Sequence, residues 1–287
     1  MFTSQNKGVK SSNQQIWFKK WILERLTYRY LVKDSGYSKA TLERMFKRYL
    51  DGAPKFQIKR NSEANIIMDA TYFKGDLCLM LYYDFDLKYC QMYRFGKKEL
   101  FSEIREDLQN LGIDIKSITS DGSPAIIKAI RSVFPDIIHQ RCIVHIQRES
   151  HIWLRKRPIN QASIDLKYIV RVLSLIKTNN DKIAWITIFD EWFKYYDSYI
   201  KEKAVNQETG RWWYRHKDLR RAAIMIKKAI PNMFHYLTDS SIQSNTNSIE
   251  SFFGHLKDTL SIHRGLSRAN RKSFILWYLH FKNQSRH

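Results

Sequence analysis

Three acidic residues stand where an acid needs an explanation. Asp69 lies inside the apolar run NIIMDATYF, and a charge is almost never buried without a partner. Asp121 closes the run KSITSD and opens a Gly-Ser-Pro turn. Open α/β sheets place their ligand sites at such carboxyl ends of strands. Glu250 falls on the first turn of an expected helix, NSIESFFGHLKDTL (Asn247–Leu260). If the strands carrying Asp69 and Asp121 are neighbours, two carboxylates share one edge and repel each other unless a cation neutralises them. Mg²⁺ or Mn²⁺ suits such oxygen ligands, and Glu250 as third acid would complete a two-ion site for in-line attack at a phosphodiester. Lys257, seven residues beyond Glu250, returns to the same helical face; it would meet a phosphate there, or serve as a plain surface lysine. Glu250 also has a bland reading. Asn247 and Glu250 have the spacing of a capping box with Glu250 at N3, and capping and metal ligation are compatible.

The elements that would position these acids follow from the pattern. Three short β-rich runs, NIIMDATYF, LCLMLYYDF and YCQMYRF, are separated by KGD and DLK and predict a hairpin meander. A helix over about 97–110 follows, then the strand ending at Asp121, a helix from Pro124 to Val133, the strand IIHQRC and the helix beginning IVHIQRES. Three strands, helix, strand, helix, strand, helix is the layout of an α/β, RNase H-like mixed sheet with helices on its faces. Asp69 and Asp121 are 52 residues apart, natural for the first and fourth strands, but Glu250 lies another 129 residues on. The surplus is accounted for by an all-helical insertion read over about 163–240, without strand signals. Residues 60–162 then form the first part of the α/β domain and 241–287 its C-terminal part with the acidic helix.

Composition points to a polyanionic partner. The chain has 287 residues with 49 Lys+Arg against 28 Asp+Glu, a net charge of +21. A membrane is disfavoured because no apolar run of spanning length and no signal-peptide core is visible, which leaves nucleic acid and a cytoplasmic location. Three cysteines make no disulfide framework, in keeping with a reducing compartment. The excess charge sits at the ends: residues 1–60 hold 14 Lys/Arg and 4 Asp/Glu, and residues 255–287 hold 7 Lys/Arg and one Asp. Residues 1–14 read as a flexible N-terminus. Over 15–54 a short helix ends near Asp34, Ser35-Gly36 turns the chain, and Ser38 caps a second helix with Leu42, Phe46 and Tyr49 on one face. That is the pattern of a helix-turn-helix DNA-binding domain, with Lys39, Thr41, Arg44, Lys47 and Arg48 on its exposed side. An ordinary pair of surface helices has the same outline. DGAPK (Asp51–Lys55) reads as a linker.

The motifs MDATYF, TSDGSPAI, QRCIVHIQR and TNSIESFFGHLKDTLSIHRGLS, in that order, resemble the bacterial mutator-type insertion-sequence transposases and the wider plant mutator-like group. The resemblance covers roughly 65–283. It implies a DDE-type DNA transposase: metal-dependent hydrolysis at the element's ends exposes 3′-OH groups, which attack target DNA. It implies Asp69, Asp121 and Glu250 as the catalytic and metal-binding triad, a pair of Mg²⁺ or Mn²⁺ ions, the element's terminal repeats and target DNA as partners, a homo-oligomer assembled on DNA, and a nucleoid-associated location in a prokaryote. Asp84, Asp86 and Glu149 are fallback acids if the correspondence slips. Two further functions share these features: a transposase-derived DNA-binding regulator without chemistry, and an RNase H-like nuclease that cuts but never joins strands. Intact acids at all three positions weigh against the first, and the helix-turn-helix pattern weighs against the second.

Two motifs remain. Cys142-x-x-His145 would need two more ligands to hold a structural zinc, and the other thiols, Cys78 and Cys90, lack pair spacing; the resemblance implies a place near the active site with structural or DNA-handling duty. GRWWYRH (Gly210–His216) is the densest aromatic-basic run. Trp212 or Trp213 could stack on an unpaired base, or pack the core of the helical block.

Overall fold

Alternation in the first three strands decides the architecture. In the computed structural model, which describes residues 5–59 and 62–284 and side chains from residue 14 on, β1 (Ala64–Phe73), β2 (Leu77–Asp84) and β3 (Tyr89–Gly96) form the expected meander. Successive side chains point to opposite faces. Ile67, Leu77, Leu79, Leu81 and Tyr83 therefore join one core, while Ile66, Met68, Met80 and Tyr82 join another. After α4 (Phe101–Asn110), β4 (Ile115–Ser120) pairs parallel to β1, and after α5 (Pro124–Val133), β5 (Ile138–Arg141) pairs parallel to β4. The sheet order is β3-β2-β1-β4-β5. The two strands expected to carry the first two acids are thus neighbours.

One sheet face is covered by α4 and α5, through Ile104, Leu108, Ile126, Ala129 and Ile130. The opposite face is covered by α11 (Asn247–Ile262) and α12 (Arg268–Gln284), through Phe252, Phe253, Leu256, Phe274 and Tyr278. The same core takes in the N-terminal helices α1 (Gln5–Leu23), α2 (Tyr28–Ser35) and α3 (Lys39–Asp51). Phe18 stacks on Tyr49 and meets Trp277 edge-on, and the Trp277 indole donates to the Tyr49 carbonyl at 2.8 Å. Residues 15–54 therefore bury their apolar side in common with the sheet domain. Gly36 ends α2 in the left-handed conformation (φ 72°), and the Ser38 hydroxyl caps α3 by accepting from the Thr41 amide, as the sequence predicts. The stretch read as flexible, 1–14, is corrected from Gln5 on, where α1 begins; its first four residues lie outside the described ones, as do residues 60–61 and 285–287 of the other expected segments. Once Phe18, Trp21 and Ile22 are pinned in the core, adding turns to an existing helix is cheap.

The third core belongs to the helical block. α6 (Ile143–Leu154), α7 (Gln161–Arg171), α8 (Asn179–Tyr195), α9 (Asp197–Lys201) and α10 (Lys217–Ala229) bury Leu166, Phe189, Trp192 and Ile226 among them. The expected all-helical insertion needs one correction. β6 (Lys203–Val205) and β7 (Trp212–Tyr214) form a two-stranded antiparallel ribbon. Its loop turns at Asn206, whose side-chain oxygen accepts from the Glu208 and Thr209 amides, and at Gly210 (φ 65°). The core role for the tryptophans is corrected too. Alternation turns Trp212 and Trp213 to opposite faces of the ribbon, and they are 53% and 50% exposed. Lys203 Nζ lies 4.0 Å from the Trp212 ring centre. Among the described residues no helix is long and apolar enough to cross a membrane.

Candidate active site

Parity along β1 aims Asp69 at α11. It shares the face of Ile67, which packs against α11 and α12. Asp69 is buried, and its Oδ1 accepts the Ala70 amide at 2.8 Å. Met68 pairs with Ser120 across the parallel β1–β4 junction, so Asp69 on β1 and Asp121, just past the end of β4, follow directly on that pair. The Asp121 Oδ1 accepts the Ser123 amide at 2.9 Å, a turn that Gly122 completes in the left-handed region (φ 77°). The buried Arg141 donates from Nη2 to the Asp121 carbonyl at 3.2 Å.

Glu250 arrives from the other side. Ile249, Phe252, Phe253, Leu256 and Leu260 bury one stripe of α11, which leaves Glu250, Gly254 and Lys257 on the stripe facing a cleft of about 290 Å³ that they share with Asp69, His145 and Arg148. The capping-box reading is corrected. Thr246, not Asn247, precedes the helix; it makes no side-chain cap, and Glu250 stands one position beyond N3. The carboxylate turns instead to α6. Arg148 donates from Nη2 to Oε2 at 2.7 Å and from Nη1 to Oε1 at 3.3 Å, and His145 Nε2 lies 3.6 Å from Oε1.

Cys142 and His145 form the joint between these elements. Cys142 is the N-cap of α6, its sulfur accepting the His145 amide at 3.5 Å. The Thr246 amide and hydroxyl reach the same sulfur at 3.4 and 3.5 Å. The Thr246 hydroxyl also lies 3.3 Å from His145 Nδ1. The Cys142 amide donates to the Ser120 carbonyl, and the Ile143 amide to the Ser244 carbonyl. One motif thus ties the end of β4, the start of α6 and the entry to α11 together. All three cysteines are free thiols, and this sulfur is spent on hydrogen bonds.

Acids and bases are tightly coupled across the cleft. Burial raises the Asp69 carboxyl to about 7; His145 and the Ala70 amide oppose the shift, while Asp121 and Glu250 add to it. Burial alone would lower His145, but the contact with Cys142 and the carboxylates of Asp69 and Asp121 outweigh it and hold the imidazole at about 9. The hydrogen bond to Glu250 keeps Arg148 above its ordinary value. Ligand atoms of Asp69, His145 and Glu250 all lie within 4.8 Å of one another. Two carboxylates and an imidazole fit a divalent cation of the Mg²⁺/Mn²⁺ kind, with the nitrogen favouring Mn²⁺. Asp121 is outside that trio, in register one strand away.

Other expected residues fall in place or aside. Lys39, Arg44, Lys47 and Arg48 are exposed along α3 and Thr41 is half-buried. The fallback acids are occupied elsewhere or point outward: Asp84 accepts from Leu87 and Gln91, Asp86 accepts from Asn65, and Glu149 is exposed. Sequence reasoning missed Arg148, Thr246 and Arg141. Arg148 was findable as the residue three beyond His145 on the same helix.

The model of the family described as Transposase, Mutator family matches residues 91–209, a stretch holding Asp121, Cys142 and His145. No curated protein shows a significant match to the chain. Over that central segment the chain is similar to the Mutator-family transposases, which agrees with the resemblance carried by its motifs.

Proposed function

We propose that the chain is a DDE-type transposase that cleaves DNA at the ends of its own element and joins the freed 3′ ends to target DNA. The observation that carries this reading is the meeting of Asp69 and Glu250, from distant parts of the chain, in one basic-walled cleft beside Asp121. The sheet order β3-β2-β1-β4-β5, two antiparallel and two parallel junctions, supports an RNase H-like core. Asp69, Asp121 and Glu250 would hold Mg²⁺ or Mn²⁺, with His145 as a further donor or as their counter-charge. Bound there, divalent ions supply charge neutralisation at the phosphodiester and activation of the attacking hydroxyl.

The chain's own residues do the rest. Lys257 and Arg148 flank the cleft and would grip phosphates on either side of the scissile one. The Cys142–Thr246–His145 joint would fix the Glu250 helix against the end of β4, so that the three acids keep their spacing. The exposed Lys39, Arg44, Lys47 and Arg48 face of α3, with Thr41 beside it, would read the element's terminal repeats as the second helix of a helix-turn-helix. Trp212 and Trp213 would stack on a displaced base. A homo-oligomer on DNA and a nucleoid location complete the proposal. The test is a cleavage and strand-joining assay on the DNA flanking the coding sequence, with and without Mg²⁺ or Mn²⁺. Metal-dependent joining supports the reading; cutting without joining would leave a nuclease, and binding without cutting a regulator.

A further inference from the structure

A second cleft lies at the far end of α6 from the candidate active site. It measures about 430 Å³ and is lined by His151, Lys156, Arg157, Lys167, Tyr168 and Arg171 among others, with no acidic residue. None of its cations takes part in an ion pair among the described residues. The cleft is built. Arg155 ends α6 in the left-handed region (φ 64°), and Lys167 Nζ donates to the carbonyls of Arg155 and Lys156 at 2.9 and 2.6 Å. That pins the loop which presents Lys156 and Arg157. Burial lowers the His151 imidazole, and Lys167 and Arg171 lower it further, as an uncompensated positive field requires.

The two clefts share one helix. His145 and Arg148 stand on its first turns, and Leu154 ends it nine residues after His145. At 1.5 Å per residue that is about 14 Å, close enough for one DNA backbone to reach both clefts. We propose that the basic cleft is a second phosphate site, which holds the DNA backbone a few nucleotides from the phosphate in the catalytic cleft. This rests on the transposase reading. DNA is favoured over a free nucleotide because cations continue beyond this cleft, through Arg155 in the adjoining pocket to Arg148 in the catalytic cleft.

The test uses the full chain and its Lys156→Gln/Arg171→Gln double variant. Both residues are exposed, and thermal unfolding checks the fold; a Lys156→Gln single variant serves if the double one is unstable. Fluorescence anisotropy with a labelled duplex is followed against salt. We expect about tenfold weaker binding for the double variant near 0.1 M salt, and a log–log salt slope shallower by about two, or by about one for the single variant. On a cleavage substrate with phosphates ethylated one at a time beside the cut, one position a few nucleotides away should weaken the wild type and leave the double variant unaffected. Equal affinity and slope in wild type and variant would overturn the site. So would saturable AMP binding that the variant loses while its DNA binding stays intact. A wild type that binds no duplex at all would instead remove the transposase reading, an outcome distinct from an indifferent variant.

Discussion

Replacing Gly122 by alanine tests how the Asp121 turn is held. A Cβ built on Gly122 lies 1.7 Å from Arg141 Nε, 2.0 Å from Cζ and 2.5 Å from Nη2. Arg141 is buried, so its guanidinium has no open space to swing into. The backbone adds a cost, since φ is 77° and a residue with a Cβ in the left-handed region costs about 1–2 kcal/mol. Displacing Arg141 loses its hydrogen bond to the Asp121 carbonyl, and a hydrogen bond from a charged donor is worth about 1.5–3 kcal/mol. Together these predict a loss of about 3–5 kcal/mol in urea unfolding. Activity is expected to fall further than stability, because the carbonyl that moves belongs to a candidate ligand. Gly254→Ala is the control: nothing lies within 4 Å of its added Cβ, and alanine inside a helix is better than glycine by about 1 kcal/mol. A Gly122→Ala protein within about 0.5 kcal/mol of wild type would refute the reasoning.

Other expectations follow from neighbouring residues. Arg148→Gln frees Glu250 from a half-exposed ion pair worth up to about 1 kcal/mol, so Mn²⁺ affinity measured by calorimetry without DNA should rise about two- to fivefold; unchanged or weaker affinity would show that the pair does not compete with the ion for Glu250. His139 is pushed down to about 3, by burial first and then by Arg141, Arg131 and His235. The unfolded chain therefore takes up a proton below its ordinary value of 6.5 that the folded chain refuses. Stability is complete above 6.5 and falls with pH, by at most about 1.4 kcal/mol per unit from this residue. His139→Gln should flatten that slope in urea unfolding at pH 7 and pH 5, and an unaltered slope would place the acid sensitivity elsewhere. Trp212→Ala and Trp213→Ala remove half-exposed rings, so melting temperatures should hold while DNA processing drops, by about 1–3 kcal/mol if a base stacks there; a loss of stability alone would count against stacking.

What the sequence made legible were the features with short-range causes. The β-rich runs NIIMDATYF and LCLMLYYDF, set off by the KGD turn, marked both strands, and the Gly36 turn and Ser38 cap delimited α2 and α3. The ribbon around Trp212 escaped because three-residue strands are too short for alternation to register, although Val205, the paired tryptophans and the Gly210 turn were all β signals. Partners distant along the chain stayed hidden. Arg148 meets Glu250 across 102 residues and Trp277 meets Tyr49 across 228, and no local pattern encodes such pairings. Glu250 was singled out for its place on a helix; what distinguishes it is the company brought by α6.

The central claim is that Asp69, Asp121 and Glu250 act as one metal-binding unit. The most direct measurement is Mn²⁺ affinity and strand cleavage, side by side, for Asp69→Asn, Asp121→Asn and Glu250→Gln against wild type, with DNA binding recorded for each. The account predicts that every substitution weakens Mn²⁺ binding and abolishes cleavage while DNA binding is largely kept. A variant that cleaves and joins DNA at a near-normal rate would take its residue out of the site, and full Mn²⁺ affinity in all three would contradict the account.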